Sequence, residues 1–146
     1  MKPSKQTVNK LIEEATKVRE HAYAPYSKFA VGAAVLCENG HIFGGCNVEN
    51  VALGLSICAE RSAIVKAFSE GCRDIEVIAI VADSPSPSSP CGICRQVFYE
   101  FNPNMIVVLA NLQGDAIIKS ASDLLPYAFK RHRENDSLEP DKVKKS

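Results

Sequence analysis

Between residues 5 and 22 the apolar side chains of Val8, Leu11, Ile12, Ala15, Val18 and Ala22 recur at three- and four-residue intervals. Such a stripe predicts a helix, with Ser4 placed to cap it. Ala24-Pro25-Tyr26-Ser27 breaks the pattern, and from Phe29 the period changes to two: Phe29, Val31, Ala33 and Val35 alternate as in a strand. Glu38-Asn39-Gly40 reads as a tight turn and residues 41–48 as the hairpin partner, weakened by Gly44-Gly45. A second helix is predicted over 58–70, with Gly71 as its stop, and 75–81 is the nearly unbroken apolar run of a strand buried on both faces. The Pro/Ser segment 84–90 is too short for an interdomain linker. It reads as a rigid loop that delivers Cys91 to a third helix through Gln96, Val97 and Phe101. Residues 105–109 form another apolar strand, 116–118 pair with it beyond the Gln113-Gly114 turn, and a last short helix covers 123–130.

The order helix, hairpin, helix, strand, helix, strand, strand, helix predicts an α/β fold, with helices on both faces of one mixed sheet. The hairpin demands antiparallel pairing, whereas strands separated by a helix favour parallel neighbours through right-handed crossovers. No internal repeat interrupts this. A length of 146 residues predicts one domain, here 1–130, because residues 131–146 mix charges of both signs with few apolar positions and read as a solvated, disordered tail.

Composition narrows the classes. With 46% hydrophobic and 23% charged residues the chain can bury a full core, which excludes a largely disordered protein. Lys plus Arg and Asp plus Glu balance at 17 each, so no bulk charge recruits a polyanion such as nucleic acid. No run approaches the roughly 20 apolar residues that span a bilayer, so no membrane partner is expected. Met-Lys-Pro-Ser-Lys-Gln opens into a polar helix and not into a signal sequence, which makes the cytoplasm the default compartment.

In that reducing compartment the six cysteines, Cys37, Cys46, Cys58, Cys72, Cys91 and Cys94, argue for metal binding or catalysis and against a disulfide framework. Cys37 and Cys72 read as plain core thiols. Three others sit where helices begin, where unsatisfied N–H groups and the positive end of the helix dipole favour thiolate. Cys91 and Cys94 share one face of a first turn behind Pro90, although Cys-x-x-Cys alone fits a redox pair or two buried thiols equally well. Cys58 and Glu60, two apart, converge on one point only if Cys58 lies at the very helix end. Three thiolates leave the fourth tetrahedral position of Zn²⁺ open, the arrangement of a catalytic centre. A structural site would close it with another Cys or a His, and Cys37, Cys46 and Cys72 stand as candidates for that.

Cys58-Ala59-Glu60 followed by Pro90-Cys91-Gly92-Ile93-Cys94 resembles the signature of zinc nucleobase deaminases. Over residues 5–130 the chain resembles the short homotetrameric cytidine deaminases of pyrimidine salvage. The likeness rests on Ala24-Pro25-Tyr26-Ser27-Lys28-Phe29, Val31-Gly32-Ala33-Ala34, Cys46-Asn47-Val48-Glu49-Asn50, Cys58-Ala59-Glu60-Arg61, Pro90-Cys91-Gly92-Ile93-Cys94-Arg95-Gln96 and Leu124-Leu125-Pro126 through Phe129. It implies a three-layer α/β/α domain with one mixed sheet of about five strands. It implies one Zn²⁺ per subunit on Cys58, Cys91 and Cys94, with Glu60 shuttling protons as cytidine or 2′-deoxycytidine loses its amino group. Arg61 is then expected against the cysteine sulfurs, drawing electron density off the metal; Arg95 is a weaker candidate for the same work. Asn47 and Glu49, read as same-face residues of a strand, are expected to clamp the ribose, Phe29 to line the base pocket and the Ala59 backbone to contact the pyrimidine. Phe129 is expected to reach into a neighbouring subunit's site. One position departs from the pattern: Leu53 stands where many such relatives carry Tyr, which predicts a roomier sugar end of the pocket. Rival readings are a deaminase of bases in DNA or RNA, one of modified cytosine nucleosides, and a non-catalytic zinc-stabilised interaction module.

Overall fold

The Ser4 hydroxyl accepts the Thr7 N–H at 3.1 Å, and from this cap α1 runs Lys5–Arg19 in the computed structural model, which describes residues 2–130. The charged tail expected over 131–146 lies outside the described residues. Val8, Leu11 and Ala15 form the buried stripe of α1. The helix ends three residues before the expected 22, because Tyr23 is drawn away: its N–H bonds the Asn47 carbonyl at 3.0 Å and its carbonyl accepts the Glu49 N–H at 2.8 Å.

The hairpin consists of β1 (Val31–Cys37) and β2 (Ile42–Cys46), closed by a turn with Gly40 at φ +87°. β1 starts two residues later than the alternation predicts, and β2 is shorter than expected. Phe29 is not in β1, since the chain before it turns through Lys28 at φ +59°, and the Phe29 N–H bonds the Ser27 hydroxyl. Asn47 to Glu49 lie beyond β2, where Val48 makes only isolated bridges to Tyr23 and Ile57. After a 3-10 turn at Leu53–Leu55 come α2 (Ala59–Ser69), β3 (Ile75–Ala82), α3 (Gly92–Phe101), β4 (Ile106–Asn111), β5 (Ala116–Ser120) and α4 (Ala121–Leu124).

One sheet of order β2-β1-β3-β4-β5 results, in which β3 and β4 are parallel and the other pairs antiparallel. The parallel neighbour expected across a helix is found around α3. Across α2 it is not, because β3 docks antiparallel on the far edge of β1. Alternate residues of β3 serve two cores: Val77, Ala79 and Val81 pack with Leu11 and Ala15 of α1, while Ile78 and Ile80 pack with Ala63 and Ile64 of α2 and Phe98 of α3. The fold is therefore the expected three-layer α/β/α arrangement, and the continuous apolar run of β3 follows from cover on both faces.

The Gly44-Gly45 pair that looks like a strand defect has a packing role. A Cβ on Gly45 would overlap the backbone nitrogen of Ala63, so α2 lies directly against the backbone of β2. Two further expectations are corrected. The last helix does not cover 123–130. A reciprocal cap between Ser120 and Asp123 starts α4 earlier, and Pro126 excludes helical geometry at Leu125, whose φ is −144°. Cys37 and Cys72 are not plain thiols but a disulfide: β1 and the chain just past α2 bring their Cα atoms to 6.2 Å, within bridging range, with both residues buried. Among the described residues no helix is long and apolar enough to cross a membrane.

Candidate active site

Helix starts bring the sulfurs together. Cys58 is the N-cap residue of α2 and Cys91 that of α3, both in extended geometry, and Cys94 lies in the first turn of α3. The parallel β3–α3–β4 crossover carries Cys91 to the carboxyl end of the sheet, where α2 also begins. The three Sγ atoms lie within 4.8 Å of one another, and Cys58 and Cys91 are 3.8 Å apart. Zn–S bonds of about 2.3 Å in a tetrahedron separate sulfurs by roughly 3.8 Å, so distance and soft donor type both fit zinc. Cys94 is fully buried, Cys58 half-buried and Cys91 exposed, which leaves one side of the cluster accessible.

Glu60, in the first turn of α2, is 6% exposed, and its Oε2 accepts from Cys94 Sγ at 3.4 Å. Burial raises its carboxyl above the usual range, and the charge at Cys58 adds to this. Its carboxyl group thus stands beside the sulfurs, outside the group of three that could hold a metal ion. The Cys58 thiol is drawn down to about 5, first by the hydrogen bond from Cys94 and then by Arg61 and Cys91, against the opposing cost of burial. Cys94, the donor in that bond, is pushed up. One Arg61 nitrogen reaches Cys58 Sγ at 3.8 Å and the Ser56 carbonyl at 3.2 Å, while its Nε is buried without an acceptor. The guanidinium thus lies where it offsets negative charge on sulfur.

A second polar group adjoins this one. Val48 and Ile57 exchange backbone hydrogen bonds of 2.9 and 3.0 Å, which stitches Asn47 and Glu49 to the residue before Cys58. The Asn47 amide accepts the Val31 N–H at 2.8 Å and donates to the Phe29 carbonyl at 2.8 Å. Glu49 accepts from the Tyr26 and Ser27 N–H groups and from the Ser27 hydroxyl, and the last of these holds its carboxyl below the usual range. Both side chains therefore tie down the loop that carries Phe29. Ala59 is buried at the first position of α2. Phe129 stands apart: its ring is 81% exposed, and only its carbonyl is held, by Gln96.

Sequence reasoning missed Ser27, which joins Glu49 to Phe29, and the Arg95 contacts. Arg95 bonds two carbonyls instead of the sulfurs. A side chain that bonds to backbone leaves no spacing pattern from which to find it.

The family described as "Cytidine and deoxycytidylate deaminase zinc-binding region" matches residues 5–110. The chain is 54% identical over 125 residues to a cytidine deaminase of Sporosarcina psychrophila, covering 85% of this chain and 92% of the relative. It is 52% identical over 127 residues to a cytidine deaminase of Halalkalibacterium halodurans, covering 86% and 96%. The crystal structure of cytidine deaminase from Burkholderia pseudomallei superposes with a TM-score of 0.81 at 51% identity, covering 83% of this chain and 98% of that one.

Proposed function

Because this chain belongs to the cytidine and deoxycytidylate deaminase family, we propose that Glu60 is the proton carrier of a site whose zinc is held by Cys58, Cys91 and Cys94. The reaction is the zinc-dependent hydrolytic deamination of cytidine to uridine with release of ammonia. The observation that carries the assignment is the convergence of three sulfurs and one buried carboxylate at the starts of α2 and α3.

When bound, zinc supplies Lewis acidity that lowers the pKa of water toward about 7. With zinc held there, Glu60 would take a proton from the attacking water at a carboxylate oxygen and deliver it to N3 of the cytosine ring as the water oxygen adds to C4. It then takes the second proton to the exocyclic nitrogen, the C4–N bond breaks, ammonia departs and a carbonyl remains at C4. Arg61 holds positive charge against Cys58, which limits the loss of Lewis acidity caused by three thiolates.

Substrate contacts follow the same reading. Asn47 and Glu49 orient the loop of Phe29 and offer their remaining hydrogen-bonding capacity to the ribose hydroxyls. Phe29 flanks the base, the Ala59 backbone meets the pyrimidine edge, and 2′-deoxycytidine is accepted beside cytidine. Phe129 enters a neighbouring subunit's site in a homotetramer. Support for assembly comes from large apolar residues left in solvent: Val51, Leu53, Leu55, Tyr127 and Phe129 are each more than 70% exposed. Residues 1–130 constitute the catalytic domain and 131–146 a tail outside it. A cytoplasmic location suits three thiols that must stay reduced to bind metal, and the Cys37–Cys72 bond is buried away from the reductants of such a compartment. The test is ammonia release from cytidine by the purified protein. Release that a zinc chelator abolishes and added zinc restores is expected, and no release from zinc-replete protein would refute the assignment.

A further inference from the structure

Three of the residues leading to Cys91 are prolines, Pro85, Pro87 and Pro90, and none of them has an N–H with which to fix the loop. The Pro90 carbonyl, directly before the first sulfur of α3, is instead held by Arg95 Nε at 2.8 Å. The same guanidinium donates through a terminal nitrogen to the Leu124 carbonyl at 3.0 Å. Gln96, the next residue, donates from Nε2 to the Phe129 carbonyl at 2.7 Å. Between α4 and Lys130 the described residues have no regular structure, and Tyr127 sits at φ +54°, so the bond to Leu124, the last residue of α4, and the bond to Phe129 hold the two ends of this segment. A guanidinium is planar with donors in a fixed fork, so two carbonyls on one fork are fixed relative to each other.

We propose that Arg95 is a positioning residue that clamps the metal-bearing loop and the Phe129 segment into one unit, with Gln96 as the second anchor of that segment. In this arrangement the first turn of α3 sets both the subunit's own sulfur cluster and the aromatic side chain it presents outward. The clamp rests on the reading given above in one respect, that Phe129 completes a neighbour's pocket. Arg95 is not a source of charge for the sulfurs, because both of its bonds end on backbone oxygen.

The experiment uses the zinc-loaded protein with two readouts, the rate of zinc release to a chelator and KM for cytidine. Losing one charge-assisted hydrogen bond is expected to move the affected readout about tenfold. Arg95→Gln should speed zinc release and raise KM together. Gln96→Leu, which keeps bulk but not the donor, should raise KM and leave zinc release unchanged. Arg95→Lys, a single compact donor, should rescue one readout and not both. The proposal is overturned if Arg95→Gln changes neither readout, if Arg95→Lys restores both, or if Gln96→Leu speeds zinc release as much as Arg95→Gln does. Should Arg95→Gln not fold, Arg95→Lys and Gln96→Leu still decide the outcome through their opposite patterns. Phe129→Ala separates the premise from the clamp: unchanged KM there removes the neighbour's pocket from the account, while accelerated zinc release in Arg95→Gln alone still supports the loop half of the clamp.

Discussion

Helix α2 has sulfur at both ends, and the two ends do opposite things. At its start, Cys58 meets Cys91 and Cys94 with a buried carboxylate and a guanidinium alongside, and the three thiols remain separate within 4.8 Å. Just past its other end, Cys72 is bonded to Cys37, both buried in the core that α2 shares with β1. The first position combines a positive helix terminus, a cation and solvent access, which favour thiolate and metal. The second has two thiols at bridging distance in apolar packing, and its chemistry is exhausted by the bond between them. For Cys58 and Cys72 the outcome is decided by which end of α2 each adjoins and what faces it there.

This contrast can be broken most severely at the first end. Cys94→Ala should abolish both zinc binding and turnover, since two thiolates do not hold an open catalytic site; full metal occupancy by elemental analysis would overturn the ligand set. Glu60→Gln should keep zinc and fold but lower kcat by at least about 10²-fold, because the amide is near-isosteric and carries no exchangeable acid proton. At the other end the expected effect is on stability alone. The Cys37–Cys72 bond closes a separation of 35 residues, for which the chain-entropy account gives about 4 kcal/mol. Replacing both cysteines with Ala, or reducing the bond, should lower Tm by about 10 °C or more while zinc content and kcat per folded molecule stay unchanged. Zinc loss in that double variant would mean that the two ends are not independent.

A finer cut goes through Arg61. Arg61→Gln should weaken zinc binding about tenfold in chelator competition, as removal of a charge or hydrogen bond behind a ligand does. The smallest effect concerns Glu49, whose folded-state carboxyl lies below its ordinary value of 4.5. A depressed acid stabilises the fold above its unfolded pKa, and that contribution is lost as pH falls through the folded value. Ser27→Ala should therefore reduce Tm more at neutral pH than at the acid limit, where Glu49 is protonated in both states and the main loss is the bond from the Phe29 N–H to the Ser27 hydroxyl. Melting curves between pH 2 and pH 7, a range of about five units around the carboxylate pKa, test this.

The metal end was far more legible in the sequence than the disulfide end. Cys58 and Glu60 could converge only at a helix start; Cys91 and Cys94 carried their own spacing; α1 and β1 announced themselves by period, and β3 and β4 by their unbroken apolar runs. The disulfide left no such mark, because Cys37 and Cys72 meet only through the pairing of β1 with β3 and the return of the chain past Gly71, which are properties of the assembled sheet. Element ends were misread for a related reason. Val48 is pulled off the β2 ladder by its own two bonds to Ile57 and by the bonds of its neighbours Asn47 and Glu49 to Tyr23, and the expected last helix is cut at Leu125 by a proline that marks the stop only once the early Ser120–Asp123 start is known.

The bare backbone of Gly45 carries a consequence of a hereditary kind. Every glycine codon that changes by one base into another amino acid gains a Cβ, and at this position any Cβ collides with the backbone of α2 at Ala63. The helix would have to lift from β2, and Glu60 and Cys58 would lift with it. No single missense step from Gly45 is therefore neutral, however conservative it looks on a substitution table.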